Sequence, residues 1–341
     1  MNVHTYAWLA WLVSGLVIIT TTRNPLILLL VDLILVVFQI WVTPPSKRIL
    51  KTTFQFSLSV LTLSTVLNMS ISRFGDTVLF SLPASIPLLG GNFTLEALIY
   101  GLTNGLILIG IFTLFTILNQ VVAVHSLVRL IPQAFHPVAV ITTISMTFIP
   151  ASQKQFQAIK EAQAIRGQQL KKLRDWLPLI IPLLIGGLER AMQIAEAMTA
   201  RGFSAQPDRI TSFLEKALLP IGLLLIILGW ILELSIKSSF SGWWLIVLGL
   251  LIIFSLFFIS GKYVRKTTYA AEPWTIASTW IIVLAVLIAV VFFFPLPGKE
   301  TLTYDPYPLV KIPDFSILHG LFTISLLAPI LFHKEVKHDQ D

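Results

Sequence analysis

Apolar runs separated by short polar stretches set the order of this chain. Residues 6–20, 25–42, 54–67, 95–118, 218–234, 243–259, 276–294 and 315–332 each read as a membrane helix. The first carries Trp8 and Trp11 at the end where interfacial aromatic residues belong, and it lacks the basic start and small-residue cleavage site of a removed signal peptide. Thr22-Arg23-Asn24-Pro25 forms the turn to the second helix, in which Pro25 suits the first position. Helical periodicity also runs through a more polar region, at Phe156, Ile159, Ala162 and Ile165, and again at Ile185, Leu188, Met192, Ala195 and Met198. The pattern therefore predicts an all-α fold, a polytopic membrane helix bundle with a cytosolic two-helix segment.

Three stretches do not fit a plain span. Residues 77–91 are apolar but interrupted by Pro83, Pro87 and Gly90-Gly91, and fifteen such residues are short for a straight crossing of ~20. They predict a kinked or re-entrant segment packed against protein. Residues 137–150 re-enter the membrane and lead directly into the first polar helix. Residues 176–187 form an apolar piece of 12 residues with Pro178 and Pro182, too short to span, which leaves both polar helices on one side. The count comes to roughly nine membrane segments.

Charge supplies the sidedness. Lys47, Arg48 and Lys51 after Pro44-Pro45, and Lys262, Arg265 and Lys266, mark cytosolic loops by the positive-inside bias. Residues 151–216 hold ten Lys/Arg and six Asp/Glu, 16 of the chain's 41 charges in about a fifth of its length. If this segment and the Lys47 cluster share the cytosolic side, an even number of crossings separates them. The segments at 54, 95 and 137 make three, so the broken stretch at 77–91 is expected to be a fourth. The chain then divides into an N-terminal membrane bundle (1–150), a cytosolic segment (151–216) that includes a polar turn at Pro207, one membrane helix (217–236), and a C-terminal extension of about three membrane segments (237–341) with a Pro-rich outer loop at 297–314.

Composition excludes a soluble enzyme. With 55% hydrophobic residues, 12% charged residues and a mean hydropathy of +0.84, the chain lies far outside the range of soluble domains. A net charge of +7 would suggest nucleic acid in a soluble protein, but here basic cytosolic loops account for it. There is no cysteine, hence no disulfide or thiol ligand. No G-x-x-x-x-G-K-[ST] phosphate loop occurs: Gly261-Lys262 and Gly298-Lys299 lack both the upstream glycine and the following hydroxyl. The six histidines are scattered without metal-ligand spacing. The sequence nominates no catalytic, cofactor-binding or metal-binding residue. One acid, Asp32, lies inside a membrane helix and is a functional candidate by position.

The polar helices end in the same motif. Glu161-Ala162-Gln163-Ala164-Ile165-Arg166-Gly167 and Glu196-Ala197-Met198-Thr199-Ala200-Arg201-Gly202 both read E-A-x-x-x-R-G, 35 residues apart. Glycine just past a helix is the usual left-handed cap, and a cation in the last turn faces the exposed carbonyls. Glu161 and Glu196 stand five residues before Arg166 and Arg201, off the three-or-four spacing of helix neighbours, so neither arginine is neutralised by its own motif glutamate. The residues beneath them are Ala162 and Gln163, and Ala197 and Met198. A narrow, alanine-lined helix end crowned by a guanidinium suits a groove on a partner, and the planar fork suits it better than an ammonium.

These residues resemble the transmembrane T component of energy-coupling factor (ECF) transporters, of the CbiQ type. The resemblance rests on Ala164-Ile165-Arg166-Gly167 and Thr199-Ala200-Arg201-Gly202-Phe203, with support from Thr22-Arg23-Asn24-Pro25, Gly90-Gly91, Thr94-Leu95-Glu96-Ala97 and Phe148-Ile149-Pro150. It covers residues 1–236, so that 217–236 would complete the T-component core. It implies two coupling helices that dock on two ABC-type ATPase subunits, which hydrolyse the ATP. It also implies a small substrate-binding membrane protein that captures a vitamin, cofactor precursor or metal ion, at the plasma membrane of a prokaryote. Arg166 and Arg201 would be the docking arginines, Ala164 and Ala200 the small residues beside them, and Gly167 and Gly202 the helix stops, with Glu161 and Glu196 completing the motifs. The first motif departs by having Ile165 before the arginine, where alanine is common, and the segments after residue 240 exceed the usual length. Two other classes remain open on the residues alone: a self-sufficient secondary transporter using Asp32 as a proton or ion site, and a membrane scaffold without transport. The twin motifs favour the first reading; an inverted repeat of broken helices would favour the second, and the sequence has one broken segment.

Without a phosphate-cradling loop, the purified chain alone is expected neither to bind nor to hydrolyse ATP. Saturable binding of a fluorescent ATP analogue to the isolated protein would contradict this.

Overall fold

A computed structural model describes residues 3–43, 47–72, 74–82, 91–132, 135–167, 173–203, 213–235, 242–261, 272–294 and 296–331. Pro44, Pro45, Pro83, Pro87, Gly90, Pro207, Lys262, Arg265 and Lys266 lie outside the described residues. The chain forms two compact units, residues 1–127 with 269–341, and residues 128–268. Sequence boundaries at 150, 216 and 236 follow changes in charge, whereas these units follow packing.

In the first unit, α1 (Thr5–Thr21) and α2 (Pro25–Val42) meet at the expected turn. The Asn24 side-chain oxygen accepts the Leu26 N–H at 3.0 Å and caps α2, while Pro25 takes the first position, where a missing N–H costs nothing. α3 (Lys47–Ile71) and α4 (Leu95–Val121) run antiparallel, with Phe56 and Phe112 ring to ring at 4.1 Å. Small residues make α4 the common neighbour. A Cβ on Gly101 would stand 2.8 Å from Thr65 Cα of α3, and one on Gly110 would stand 2.9 Å from Ile19 of α1 and 2.8 Å from Asp32 of α2. Close backbone approach of this kind replaces the hydrophobic drive that lipid cannot supply.

Trp8 and Trp11 are 2% exposed and lie in the core of the unit. Trp11 packs on Phe38 at 5.0 Å, and its indole N–H donates to the Leu326 carbonyl at 2.9 Å. That carbonyl pairs the one polar atom of the ring, which lets the indole be buried without an unsatisfied donor. Leu326 belongs to the returning part of the chain: α10 (Ile276–Phe293) packs along α1, and α11 (Ile317–Ile324) packs against α2, followed by the short α12 (Ala328–Leu331). The start of α1 is tied to the approach to α10. Glu272 accepts the Thr5 N–H at 3.0 Å and its hydroxyl at 2.7 Å, and Ser278 Oγ accepts the His4 N–H at 2.9 Å.

The broken stretch is not a crossing. β1 (Val78–Leu82) and β2 (Gly91–Thr94) form an antiparallel ladder, with Phe80 opposite Phe93 and their rings stacked at 4.5 Å. Strand pairing satisfies the backbone that the prolines deny to a helix. The Thr77 carbonyl accepts the Leu95 N–H at 3.0 Å, and fully buried Glu96 accepts the Thr77 N–H at 3.1 Å and its hydroxyl. The chain thus leaves α3 and enters α4 at one end. Of the described helices between the Lys47 cluster and the first motif, α3 and α4 are long and apolar enough to cross a membrane, and the chain then continues through the short α5 (Val124–Arg129) into α6 (His136–Ile165), which runs unbroken through Pro150.

In the second unit, a 3₁₀ turn at Leu173–Trp176 opens α7 (Leu177–Ala200), so the apolar piece at 176–187 and the second polar helix are one helix instead of two segments. Pro182 has no N–H for the Pro178 carbonyl, and the Gln163 side chain donates to that carbonyl at 3.5 Å, which offsets the lost helix bond. By length and composition α7 is one of the five helices able to cross a membrane. α8 (Phe213–Ser235) and α9 (Trp243–Gly261) pair with each other, Gly229 against Gly242 and Gly222 against Gly249.

Single cysteines at Phe74 and Asn92, both exposed on either flank of the hairpin, are expected to react with a membrane-impermeant maleimide from the same side. Labelling from opposite sides would restore the fourth crossing.

Candidate functional site

Both motifs end their helices in the same way. The helical conformation stops at Arg166 and at Arg201, and Gly167 (φ 79°) and Gly202 (φ 77°) follow in the left-handed region that L side chains rarely adopt. Gly167 N–H donates to the Ala164 carbonyl at 2.9 Å, and Gly202 N–H donates to the Thr199 carbonyl at 2.9 Å. A Cβ at either glycine would meet open space, so the constraint there is the backbone angle and not crowding. Glu161, Ala164, Arg166, Gly167, Glu196, Ala200, Arg201 and Gly202 are all exposed. Ile165, the residue that departs from alanine, is 88% exposed. Neither guanidinium has a hydrogen-bond or ion-pair partner among the described residues. The expectation that the motif glutamates leave their arginines free agrees with this.

The two helices run antiparallel, since Gln163 meets Pro178 while Phe148 meets Gly187 and Arg190. Their contact is made by residues that the sequence reading did not single out. The Gln155 side chain fills the space a Cβ on Gly186 would take, and the Arg190 guanidinium lies 5.9 Å over the Phe148 ring. One nitrogen of Arg190, Nη1, is buried without a hydrogen-bond partner among the described residues, so ring contact is the main compensation for its burial. A glycine pair in mid-helix followed four residues later by an arginine on the same face was the available signal.

This contact sets where the motif arginines stand. Rising ~1.5 Å per residue, α6 carries Arg166 roughly 27 Å beyond Phe148, and α7 carries Arg201 roughly 16 Å beyond Arg190. Because the helices are antiparallel, the arginines leave the contact in opposite directions. The sequence's two equal motifs thus become two separate helix ends, each able to engage its own partner, and not one clustered site. α7 also turns an apolar stripe outward at Leu177, Ile181, Leu184, Leu188 and Met192, each more than half exposed.

Asp32 is placed elsewhere, in the first unit. It is half-buried on α2 against Gly110, and its Oδ2 has no hydrogen-bond partner among the described residues. No group of three or more His, Asp or Glu side chains able to hold a metal ion occurs among the described residues.

Residues 3–213 match the family model CbiQ, described as cobalt transport protein. Both motifs fall inside the match, which ends at the first residue of α8. Similar relatives include the energy-coupling factor transporter transmembrane protein EcfT of Exiguobacterium sibiricum, 31% identical over 115 residues, which are 30% of this chain and 44% of that protein. The EcfT of Leuconostoc gelidum is 36% identical over 77 residues, 21% of this chain and 29% of that protein. The EcfT of Bacillus subtilis is 31% identical over 80 residues, 22% of this chain and 30% of that protein. The chain thus spans less than half the length of these curated relatives.

Replacing Gly186 by leucine forces Gln155 out of its notch. Overpacking of this kind costs about 1–3 kcal/mol. A lower melting temperature in detergent, with expression retained, is the expected result, and an unchanged melting curve would show that the notch does not hold the pair together.

Proposed function

The chain belongs to the CbiQ family of cobalt transport proteins, and on that premise we propose that it is the transmembrane coupling (T) component of an ECF-type importer. Arg166 and Arg201 are the docking residues for two ABC-type ATPase subunits, one per helix end. ATP-driven approach of the ATPases moves the two ends relative to each other. The membrane helices pass this motion to a separate small membrane protein, which carries a vitamin, a cofactor precursor or a metal ion. This chain holds no part of the ATPase chemistry. It works in the plasma membrane of a prokaryote, with residues 151–216 on the cytosolic side.

One observation carries the reading: two chemically equal arginine ends, exposed and without a partner among the described residues, point away from a single helix crossing. Each end presents small residues, Ala164 or Ala200, beside a guanidinium, with a glycine stop that adds no bulk. A protein groove can close around such an end, and its carboxylates or carbonyls can take the planar fork in two bonds. α7 remains on the cytosolic side despite its length, because its apolar residues give way after Leu188 to Glu189, Arg190 and Glu196. Its outward stripe then lies against the membrane or a membrane partner, and the polar half meets water.

Truncating either arginine to alanine leaves the partner's buried acceptors unpaired, a loss of about 2–5 kcal/mol at an interface. Arg166→Ala and Arg201→Ala, and still more the double variant, are expected to abolish transport and release the ATPases on co-purification, with expression and membrane insertion intact. Lysine is expected to rescue only in part, since it restores the charge without the fork. Lys171 and Lys172, which lie outside the described residues, carry charge without the motif, and their removal is expected to cost little. Normal assembly and transport by the double arginine variant would sink the coupling reading.

A further inference from the structure

We propose that residues 298–316 are a strap that fastens the outward ends of α1 to α4 and closes that end of the first unit to water. The segment lies beyond the family match, and the proposal does not depend on the coupling reading.

The strap touches every element at that end. At the α1–α2 turn, Arg23 N–H donates to the Leu302 carbonyl at 2.8 Å. The Asn24 amide donates one hydrogen to the Thr301 carbonyl at 2.8 Å and the other to the Asp314 carbonyl at 2.7 Å. At the end of α3, Ser72 Oγ and the Tyr307 hydroxyl share a hydrogen bond of 2.7 Å. In the first turns of α4, Tyr100 meets the Tyr307 ring at 6.0 Å, and before the hairpin the Asp76 N–H donates to the Pro308 carbonyl at 3.4 Å. The strap is also braced internally, because the Tyr304 hydroxyl donates to the Lys311 carbonyl at 2.8 Å. Its two ends meet: a Cβ on Gly298 would stand 2.7 Å from Ser316 Oγ, and that hydroxyl shares a 2.9 Å bond with His319 Nδ1 of α11. A loop with joined ends packed by its own side chains is a compact unit, not a loose connection.

Asn24 is the fastening point. Its oxygen caps α2 through Leu26 while both amide hydrogens hold the beginning and the end of the strap. An aspartate can perform the first task but not the second. Beneath the strap, Thr22 is fully buried and Asn24 is 1% exposed, while Arg23 between them is exposed. Thr22 Oγ1 is buried without a hydrogen-bond partner among the described residues, so water does not reach it there. The strap is at the opposite end of the bundle from the start of α3, where Lys47, Arg48 and Lys51 indicate the cytosol, which makes it outward-facing. With four helices held at their outer ends, the first unit moves as a block and does not open to the outside between α1 and α4.

The chain has no cysteine, so single reporters are clean. Thr22→Cys is nearly isosteric and gives up no hydrogen bond, and Arg23→Cys is the exposed reference. On intact cells treated with a membrane-impermeant maleimide, Arg23→Cys is expected to label at least ~10-fold faster than Thr22→Cys, the ratio set by the free energy of local opening. Adding Asn24→Asp and Tyr307→Phe, which keeps the α2 cap but removes the side-chain bonds that Asn24 and Tyr307 make between the strap and the helices, is expected to bring Thr22→Cys to within about threefold of the reference. Equal rates in the otherwise unaltered chain would overturn the proposal, as would a Thr22→Cys that stays protected once those side-chain bonds are gone. Labelling of Arg23→Cys from the cytosolic side alone would overturn the outward assignment. If the combined variant does not insert, the Thr22→Cys and Arg23→Cys comparison in the unaltered chain decides alone. Failure of the ATPases to co-purify would bear on the coupling reading and leave these rates unaffected.

Discussion

The contact of Gln155 with Gly186 is the interaction on which the pairing of α6 and α7 depends. Were the helices joined only at their polar ends, Arg166 and Arg201 could take any mutual position, and two identical motifs would say nothing about how many partners they serve. The notch at Gly186 and the Arg190–Phe148 stack fix the crossing near the middle of both α7 and α6. A rigid crossing turns each helix into a lever whose free end is the motif. It also explains the tolerance of Pro182, since Gln163 of the neighbouring helix takes the carbonyl bond that the proline leaves open.

In the first unit the governing constraint is the need to pair polar atoms in an apolar setting. The family-matched segment contributes the donors Trp11, Arg23 and Asn24, and the acceptors for all three come from residues 301–326, beyond the match. Trp11 and Asn24 are buried, and unpaired each would be a polar group without compensation. The returning helices therefore complete the bundle and are not appended to it, and α10 and α11 supply part of its core through Ile281, Ile288, Phe292 and His319.

What the sequence made legible was local. The Asn24-Pro25 start of α2, the glycine stops at 167 and 202 and most of the helix spans depend on neighbours a few residues away and are found, whereas the run at 315–332 divides into α11, a 3₁₀ turn at Ser325–Leu327 and α12. The misreadings share the opposite property. The partner of Trp11 is a carbonyl 315 residues further on, the Phe80–Phe93 pairing cannot be seen in a run judged by its length, and the piece at 176–187 was read as separate and too short although it continues into the second polar helix as α7. The motif arginines were visible as a repeated pattern, but the residues that aim them were not, since a glycine and a glutamine have no distinguishing mark until the helices are side by side.

Asp32 tests how far an isolated intramembrane acid supports transport by the chain alone. Its Oδ2 is buried and unpaired among the described residues, which is the feature a proton or ion site needs in its empty state. A pathway needs more, namely further polar groups leading to the site and an opening on each side. Asp32 Oδ1 and the Ile19 side chain of α1 both stand where a Cβ on Gly110 of α4 would be, at 2.8 and 2.9 Å. Gly110 allows the carboxylate to fit between packed helices, so its place follows from close packing of α1, α2 and α4 around a small residue. The exposed charge that is repeated at two helix ends lies at Arg166 and Arg201, and on the proposed coupling reading the energy for movement enters there.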